Sequence, residues 1–163
     1  MLITGAEGAV GGYAVQLAKR RGAVVIASDL SSDGEFATKV AGADVYVPAS
    51  QPLVEAVRKV RPEGVAAVLD TAMLGQAVIG AVADGGRFVT TRIDARPQTE
   101  RGIRVLLTQV GPDGAMLSTL SDLAAAGDLA LRVAKTYPLQ EASKAYAHMT
   151  GGGFQGRVVL TME

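Results

Sequence analysis

Leu2-Ile3-Thr4-Gly5-Ala6-Glu7-Gly8-Ala9-Val10-Gly11 carries an apolar strand into a glycine turn and on into a helix. Leu2 and Ile3 suit a strand buried on both faces. Gly5, Gly8 and Gly11 recur every third residue, and Val10, Ala14, Leu17 and Ala18 then mark one apolar helix face. Glycine is required where the backbone must approach a ligand and where the helix must start close against the strand. The unpaired N–H groups and positive dipole end of such a helix attract an anion, so the turn reads as a seat for a dinucleotide pyrophosphate. A glycine trio alone is weak evidence, because tight strand-on-helix packing without a ligand produces the same pattern.

The next strand sharpens the reading. Val24-Val25-Ile26-Ala27 ends in Ser28-Asp29, and Asp29 lies eighteen positions after Gly11. An acidic residue there accepts hydrogen bonds from an adenosine ribose. An Asx turn or a helix cap is the competing role for Asp29, but its place at the strand tip favours the ribose.

Further along, strands are predicted at 2–4, 24–28, 45–47, 66–70, 87–91 and 103–107. Helical stretches fall at 10–21, 34–41, 52–60 and 75–83. Arg61-Pro62-Glu63-Gly64 and Asp84-Gly85-Gly86 act as breakers before the fourth and fifth strands. This βαβα order predicts an α/β fold: a doubly wound, parallel, six-stranded Rossmann sheet with ligands at the carboxyl ends of the strands. A helix beginning near Gly114 follows. The chain then adds a strand at 132–135, a helix from Gln140 to Met149 and a last strand at 157–162, giving a strand-helix-strand tail that the sheet does not need.

The 163 residues suit one core rather than two full domains. Zero formal charge with 48% hydrophobic residues argues against disorder and against a polyanion-binding surface, so no nucleic-acid partner is expected. No apolar run is long enough to span a bilayer and no leader precedes the first strand, so no membrane partner is expected either. A cytoplasmic location is the default expectation. Without cysteine, and with His148 as the single histidine, neither disulfides nor a protein-made catalytic metal centre is expected. His148 reads as a packing residue beside Tyr146 and Met149, and Tyr13 and Tyr137 likewise as packing residues. Asp70 reads as a carboxylate bonding backbone at the end of a buried strand, and Lys19-Arg20-Arg21 as the solvated end of a helix.

Six segments in order carry a family signature: ITGAEGAVGGYAVQLAKRRGAVVIAS (3–28), AGAD (41–44), VAAVLDTA (65–72), DGGRFVTT (84–91), RGIRV (101–105) and YPLQEASKAYAHMTGGGFQGRVVLT (137–161). The chain resembles the nucleotide-binding portion of a medium-chain dehydrogenase/reductase, in the zinc-independent quinone-oxidoreductase branch. The resemblance implies a dinucleotide-binding domain over 1–131. It further implies that 132–163 completes a GroES-like catalytic domain ahead of Met1, a domain that the 163 residues lack. It matches Gly8, Ala9, Val10 and Gly11 to the phosphate turn, and Asp29 and Leu30 to the adenosine-ribose end. Thr71 with Ala72, and Thr90 with Thr91, fall at the border of the nicotinamide ring. Arg157 matches a basic residue on the pyrophosphate, and is equally well read as a solvated strand-end charge.

The activity implied is NAD(P)H-dependent hydride transfer to a quinone or α,β-unsaturated carbonyl, with the reactive bond supplied by the cofactor. No catalytic proton donor is named. Where NADP-dependent relatives carry a lysine and a tyrosine, this chain has Gly34 and Ala49, with Asp29, Asp33 and Glu35 nearby. Carboxylates beside a 2′-phosphate repel it, so NAD(H) is expected over NADP(H), although Ser28, Ser31 and Ser32 offer hydroxyls to a phosphate. A homodimer through 103–110 is a further implication, and an ordinary sheet edge has the same pattern.

Two rivals stand beside this reading. The TGxxGxxG turn also fits a short-chain dehydrogenase, but none of Tyr13, Tyr46, Tyr137 or Tyr146 has the required lysine four residues later. The other rival is a stand-alone NAD-binding sensor or interaction module without catalysis.

Overall fold

The computed structural model describes residues 1–31 and 34–162. Ser32 and Asp33, invoked above beside the second strand, and Glu163 at the end of the tail lie outside the described residues. Strands β1 (Leu2–Thr4), β2 (Ile26–Asp29), β3 (Val45–Pro48), β4 (Val65–Asp70), β5 (Val82–Thr90) and β6 (Arg104–Leu107) form one sheet in the order β3-β2-β1-β4-β5-β6. Every pairing is parallel. This is the doubly wound Rossmann arrangement predicted.

The register explains why each strand reads as an unbroken apolar run. Leu2 pairs with Ile26 and Val68, and Val68 with Phe88; these residues share one core with Val57 of α2 (Leu53–Val60). One step along, Ile3 pairs with Ala27 and Leu69 and faces a second core with Val15 of α1 (Ala9–Arg20). Both sheet faces are therefore covered, as parallel sheets require. The order reverses at β1, between β2 and β4, so the crevice at their carboxyl ends is the topological switch point.

Two local expectations fail, and a third, the helix near 34–41, is met with a changed helix type. The helix expected at 75–83 is instead two single 3₁₀ turns, Gly75–Ala77 and Ile79–Ala81, running directly into β5. Arginines from elsewhere bond the carbonyls of this stretch: Arg58 Nε donates to Gly80 O at 2.9 Å and Arg101 Nη2 to Ile79 O at 3.1 Å. Over 34–41, only Phe36–Val40 forms a helix, of the π type. Gly34, at φ +60°, has the Tyr46 ring 2.3 Å from where a Cβ would stand. Finally, Asp84-Gly85-Gly86 does not end a segment but bulges within β5, between the pairs Val65–Val82 and Ala67–Arg87. A Cβ on Gly86 would lie 2.9 Å from Ala66 O, which is why glycine occupies the bulge.

The buried stripe of α1 is also shifted. Gly11, Gly12, Val15 and Gln16 are buried, whereas Val10 is 55% exposed. The basic end of α1 is paired: Lys19 with Asp44 and Arg20 with Asp128.

After α3 (Gly114–Ala125), β7 (Val133–Pro138) and β8 (Arg157–Thr161) pair in parallel as a separate two-stranded sheet, joined through α4 (Ala142–Gly151). His148 packs differently from expectation. Its Nδ1 lies 3.1 Å from the Tyr137 hydroxyl and its ring 4.8 Å from that of Phe154, while Tyr146 and Met149 face outward. No helix among the described residues is long and apolar enough to cross a membrane.

Candidate dinucleotide site

The glycine turn is built by backbone constraints. Gly5 has φ +62°, and a Cβ there would stand 2.6 Å from Thr71 Oγ1. Gly8 donates its N–H to Gly5 O at 3.0 Å and serves as the N-cap of α1 with no side-chain cap of its own. A Cβ on Gly11 would lie 2.0 Å from Gly5 O, so only glycine lets the helix start against the strand. The first turn of α1 therefore opens outward at an exposed Gly8, with its dipole favouring an anion there.

Asp29 ends β2 beside this turn. Its Oδ2 accepts the Glu7 N–H at 2.8 Å and its Oδ1 the Leu30 N–H at 2.6 Å. A carboxylate offers about four lone-pair positions, so two acceptor positions remain after these bonds. That number matches the two hydroxyls of a ribose.

Asp29, Leu30 and Ala72 line one cleft of about 290 Å³ together with Thr4, Gly5, Ser28, Ala49 and Leu74. Gly8, Ala9 and Arg157 meet in a second, narrow crevice with Gly12, Tyr13, Phe36, Ala130 and Arg132. The Arg157 guanidinium lies 5.9 Å from the Tyr13 ring centroid, so the tail does bring this cation to the glycine turn. Val10 stays outside with its side chain exposed, and Gly11 contributes through its backbone approach. Thr71 is committed to structure, its hydroxyl donating to Thr4 O at 2.6 Å. Thr90 is buried and donates its hydroxyl to Arg92 O at 3.0 Å, while Thr91 is half-buried at the end of β5. Asp70 bonds backbone as expected, accepting from Leu74 N at 3.2 Å and Gly75 N at 2.8 Å.

Sequence reasoning missed four residues that hold the site together. Glu7, inside the turn, is only 3% exposed; its Oε1 accepts from Ala37 N at 3.1 Å and its Oε2 from Gln155 Nε2 at 2.7 Å. Arg132 donates from Nη1 to Glu7 O at 2.8 Å. Gln16 exchanges two bonds with the backbone of Ala130. An acidic residue between the glycines of a turn read as a phosphate seat is out of place, and that was the available signal for Glu7.

The chain has no cysteine and one histidine, and among the described residues no three His, Asp or Glu side chains converge on a point.

The profile of the zinc-binding dehydrogenases matches residues 41–160. An NAD-dependent alcohol dehydrogenase of Saccharolobus solfataricus is 31% identical over 172 aligned positions, covering 98% of this chain and 50% of that relative. A solved NAD-dependent alcohol dehydrogenase superposes with a TM-score of 0.84 at 27% identity, covering 99% of this chain and 50% of that one. A solved 2-haloacrylate reductase superposes at 0.80 with 26% identity, covering 99% and 57% respectively. The chain spans about half the length of the curated relatives it matches. It belongs to the zinc-binding dehydrogenase family, within the medium-chain dehydrogenase/reductase superfamily, and corresponds to the nucleotide-binding portion of such an enzyme.

Proposed function

We propose that this chain binds a nicotinamide dinucleotide, NAD(H) in preference to NADP(H), as the cofactor-holding half of an oxidoreductase acting on a quinone or α,β-unsaturated carbonyl. The observation that carries the reading is the Asp29–Glu7 bond of 2.8 Å, which fixes a carboxylate at the β2 tip beside an uncapped helix start. Gly8, Ala9, Val10 and Gly11 would hold the pyrophosphate with Arg157 beside them. Asp29 and Leu30 would hold the adenosine ribose. Thr71, Ala72, Thr90 and Thr91 would border the nicotinamide through backbone and small side chains. The nicotinamide, when bound, supplies the hydride, and the protein supplies orientation and a dry wall. Asp29 opposes a 2′-phosphate by like charge, which is the basis of the NAD(H) preference.

The enone assignment takes its support from the 2-haloacrylate reductase relative, a protein whose name describes reduction of an activated double bond. A second reading, alcohol oxidation, draws on the relatives named alcohol dehydrogenases. On either reading, residues 132–163 would complete a catalytic domain on the amino-terminal side. The β6 edge, with Leu106 48% exposed, would pair with a second copy across 103–110. The test combines NADH and NADPH fluorescence titrations of the chain with hydride-transfer assays after a family amino-terminal domain is supplied in trans. Turnover of an enone but not an alcohol supports the first reading, and the reverse supports the second.

A further inference from the structure

We infer that Arg132 is a positioning residue that couples dinucleotide binding at the glycine turn to docking of the β7-α4-β8 tail. This inference rests on the cofactor reading above. Its basis is the complete engagement of Glu7. The Glu7 N–H is held by Asp29 at 2.8 Å, its carbonyl by Arg132 at 2.8 Å, and its carboxylate by Ala37 N–H at 3.1 Å and Gln155 Nε2 at 2.7 Å. One buried residue of the turn is thus clamped by the β2 tip, by the π-helix and by the tail.

Arg132 is the central member on the tail side. Its guanidinium donates to Glu7 O and to the Gln155 side-chain oxygen, and its plane covers the Phe36 ring at 3.9 Å from the centroid. Its own carbonyl accepts the Arg157 N–H at 2.9 Å. A continuous path therefore runs Asp29–Glu7–Arg132–Arg157, linking the carboxylate assigned to the ribose with the guanidinium assigned to the pyrophosphate. All three links use main-chain atoms of the turn or of β8, so a shift of the tail displaces both ends together.

Further ties lie ahead of Arg132, at Asp128 and Ala130, and at Arg157, whose guanidinium stands 5.9 Å from the Tyr13 ring centroid. Beyond Arg132, Val133, Leu160 and most of β7 and β8 stay exposed. The tail sheet thus leans on this cluster instead of on a buried apolar face. An anion gripped by both the turn and Arg157 must favour the docked tail, and by linkage the docked tail must favour the anion.

Amide hydrogen exchange of the 163-residue chain, with and without saturating NADH, tests this. In the wild type, NADH is expected to slow exchange in the turn (5–12) and also in β7 and β8. Arg132→Ala is expected to lower NADH affinity by about tenfold, within the usual range of coupling factors, and to abolish the NADH-dependent slowing in β7 and β8. Arg132→Lys, which keeps a donor for Glu7 O but loses the planar stack, should restore part of both effects. A residue of purely structural importance would raise exchange in the tail without changing the response to NADH. Undiminished NADH protection of the tail in Arg132→Ala overturns the inference. So does protection of the wild-type turn with none in β7 and β8. Absence of protection even in the wild-type turn would instead remove the cofactor reading, and this inference with it. If Arg132→Ala does not fold, Gln155→Ala, which removes the bridge between Arg132 and Glu7, is read by the same criteria.

Discussion

Thr4 donates its hydroxyl to Asp70 Oδ1 at 2.6 Å, tying the carboxyl tips of β1 and β4 across the switch point. The same hydroxyl oxygen accepts the Ala72 N–H at 3.2 Å, and Asp70 is fully buried. The crevice wall is thereby fixed by a small polar network rather than by packing alone. Replacing Thr4 with Val keeps the shape, takes a donor from the buried Asp70 and takes an acceptor from the half-buried Ala72 N–H. That should destabilise the fold by about 1–3 kcal/mol. Urea denaturation checks it, with an unchanged m-value expected.

Gly11→Ala places a methyl 2.0 Å from Gly5 O, a backbone atom that cannot rotate away. The turn must open to accept it, at a cost of about 1–3 kcal/mol for overpacking. Binding of NADH should fall more steeply than stability, because the displaced backbone is the proposed phosphate seat. Gly22→Ala, at an open helix end with φ +76° and no neighbour within 4 Å, is the control: it should lose stability from backbone strain yet keep NADH affinity.

Asp44 gives a pH signature. The Lys19 ammonium at 2.7 Å, followed by the Val25 N–H, holds its carboxyl below the usual carboxylate range. A depressed folded-state pKa contributes stability above the unfolded value, about 3.9, and loses it as pH falls through the lower folded value. The side chain is 38% exposed, so solvent screening keeps the contribution small. Asp44→Asn should therefore cost about 0.5–1 kcal/mol at neutral pH and nothing once the wild-type carboxyl is protonated. Thermal melts of both proteins from neutral pH into the acid range check the convergence.

Asp29→Ser should shift cofactor choice. Removing the carboxylate deletes the two acceptor positions proposed for the ribose and the negative charge proposed to oppose a 2′-phosphate. NADH affinity should fall by about tenfold, the equivalent of roughly 1.4 kcal/mol, and NADPH should gain relative to it. Parallel titrations with both cofactors decide this; wild-type preference for NADPH would contradict it.

Much of the fold was legible because each strand of a doubly covered sheet is a plain apolar run, and Leu2-Ile3 or Val68-Leu69 need no tertiary knowledge to be read. The glycine turn was legible for a similar reason: the positive φ at Gly5 and the close approach at Gly11 dictate residue type locally. The stretch from Gly75 to Ala83 was not, since its carbonyls are captured by Arg58 and Arg101, each 22 residues distant. Hydrophobic periodicity carries no trace of such bonds. The Glu7–Arg132 contact spans 125 positions and was hidden for the same reason. Val10 was misplaced on the buried face because the glycines Gly11 and Gly12 carry the close packing that an apolar side chain was expected to supply.

Calorimetric titration of the folded chain with ADP-ribose, beside NADH, tests the glycine-turn and Asp29 site most directly, because ADP-ribose presents the pyrophosphate and adenosine ribose without the nicotinamide. Both ligands should release heat with similar affinity, and Asp29→Ser should weaken both alike. A folded chain that gives no heat with either ligand at millimolar concentration would contradict the account.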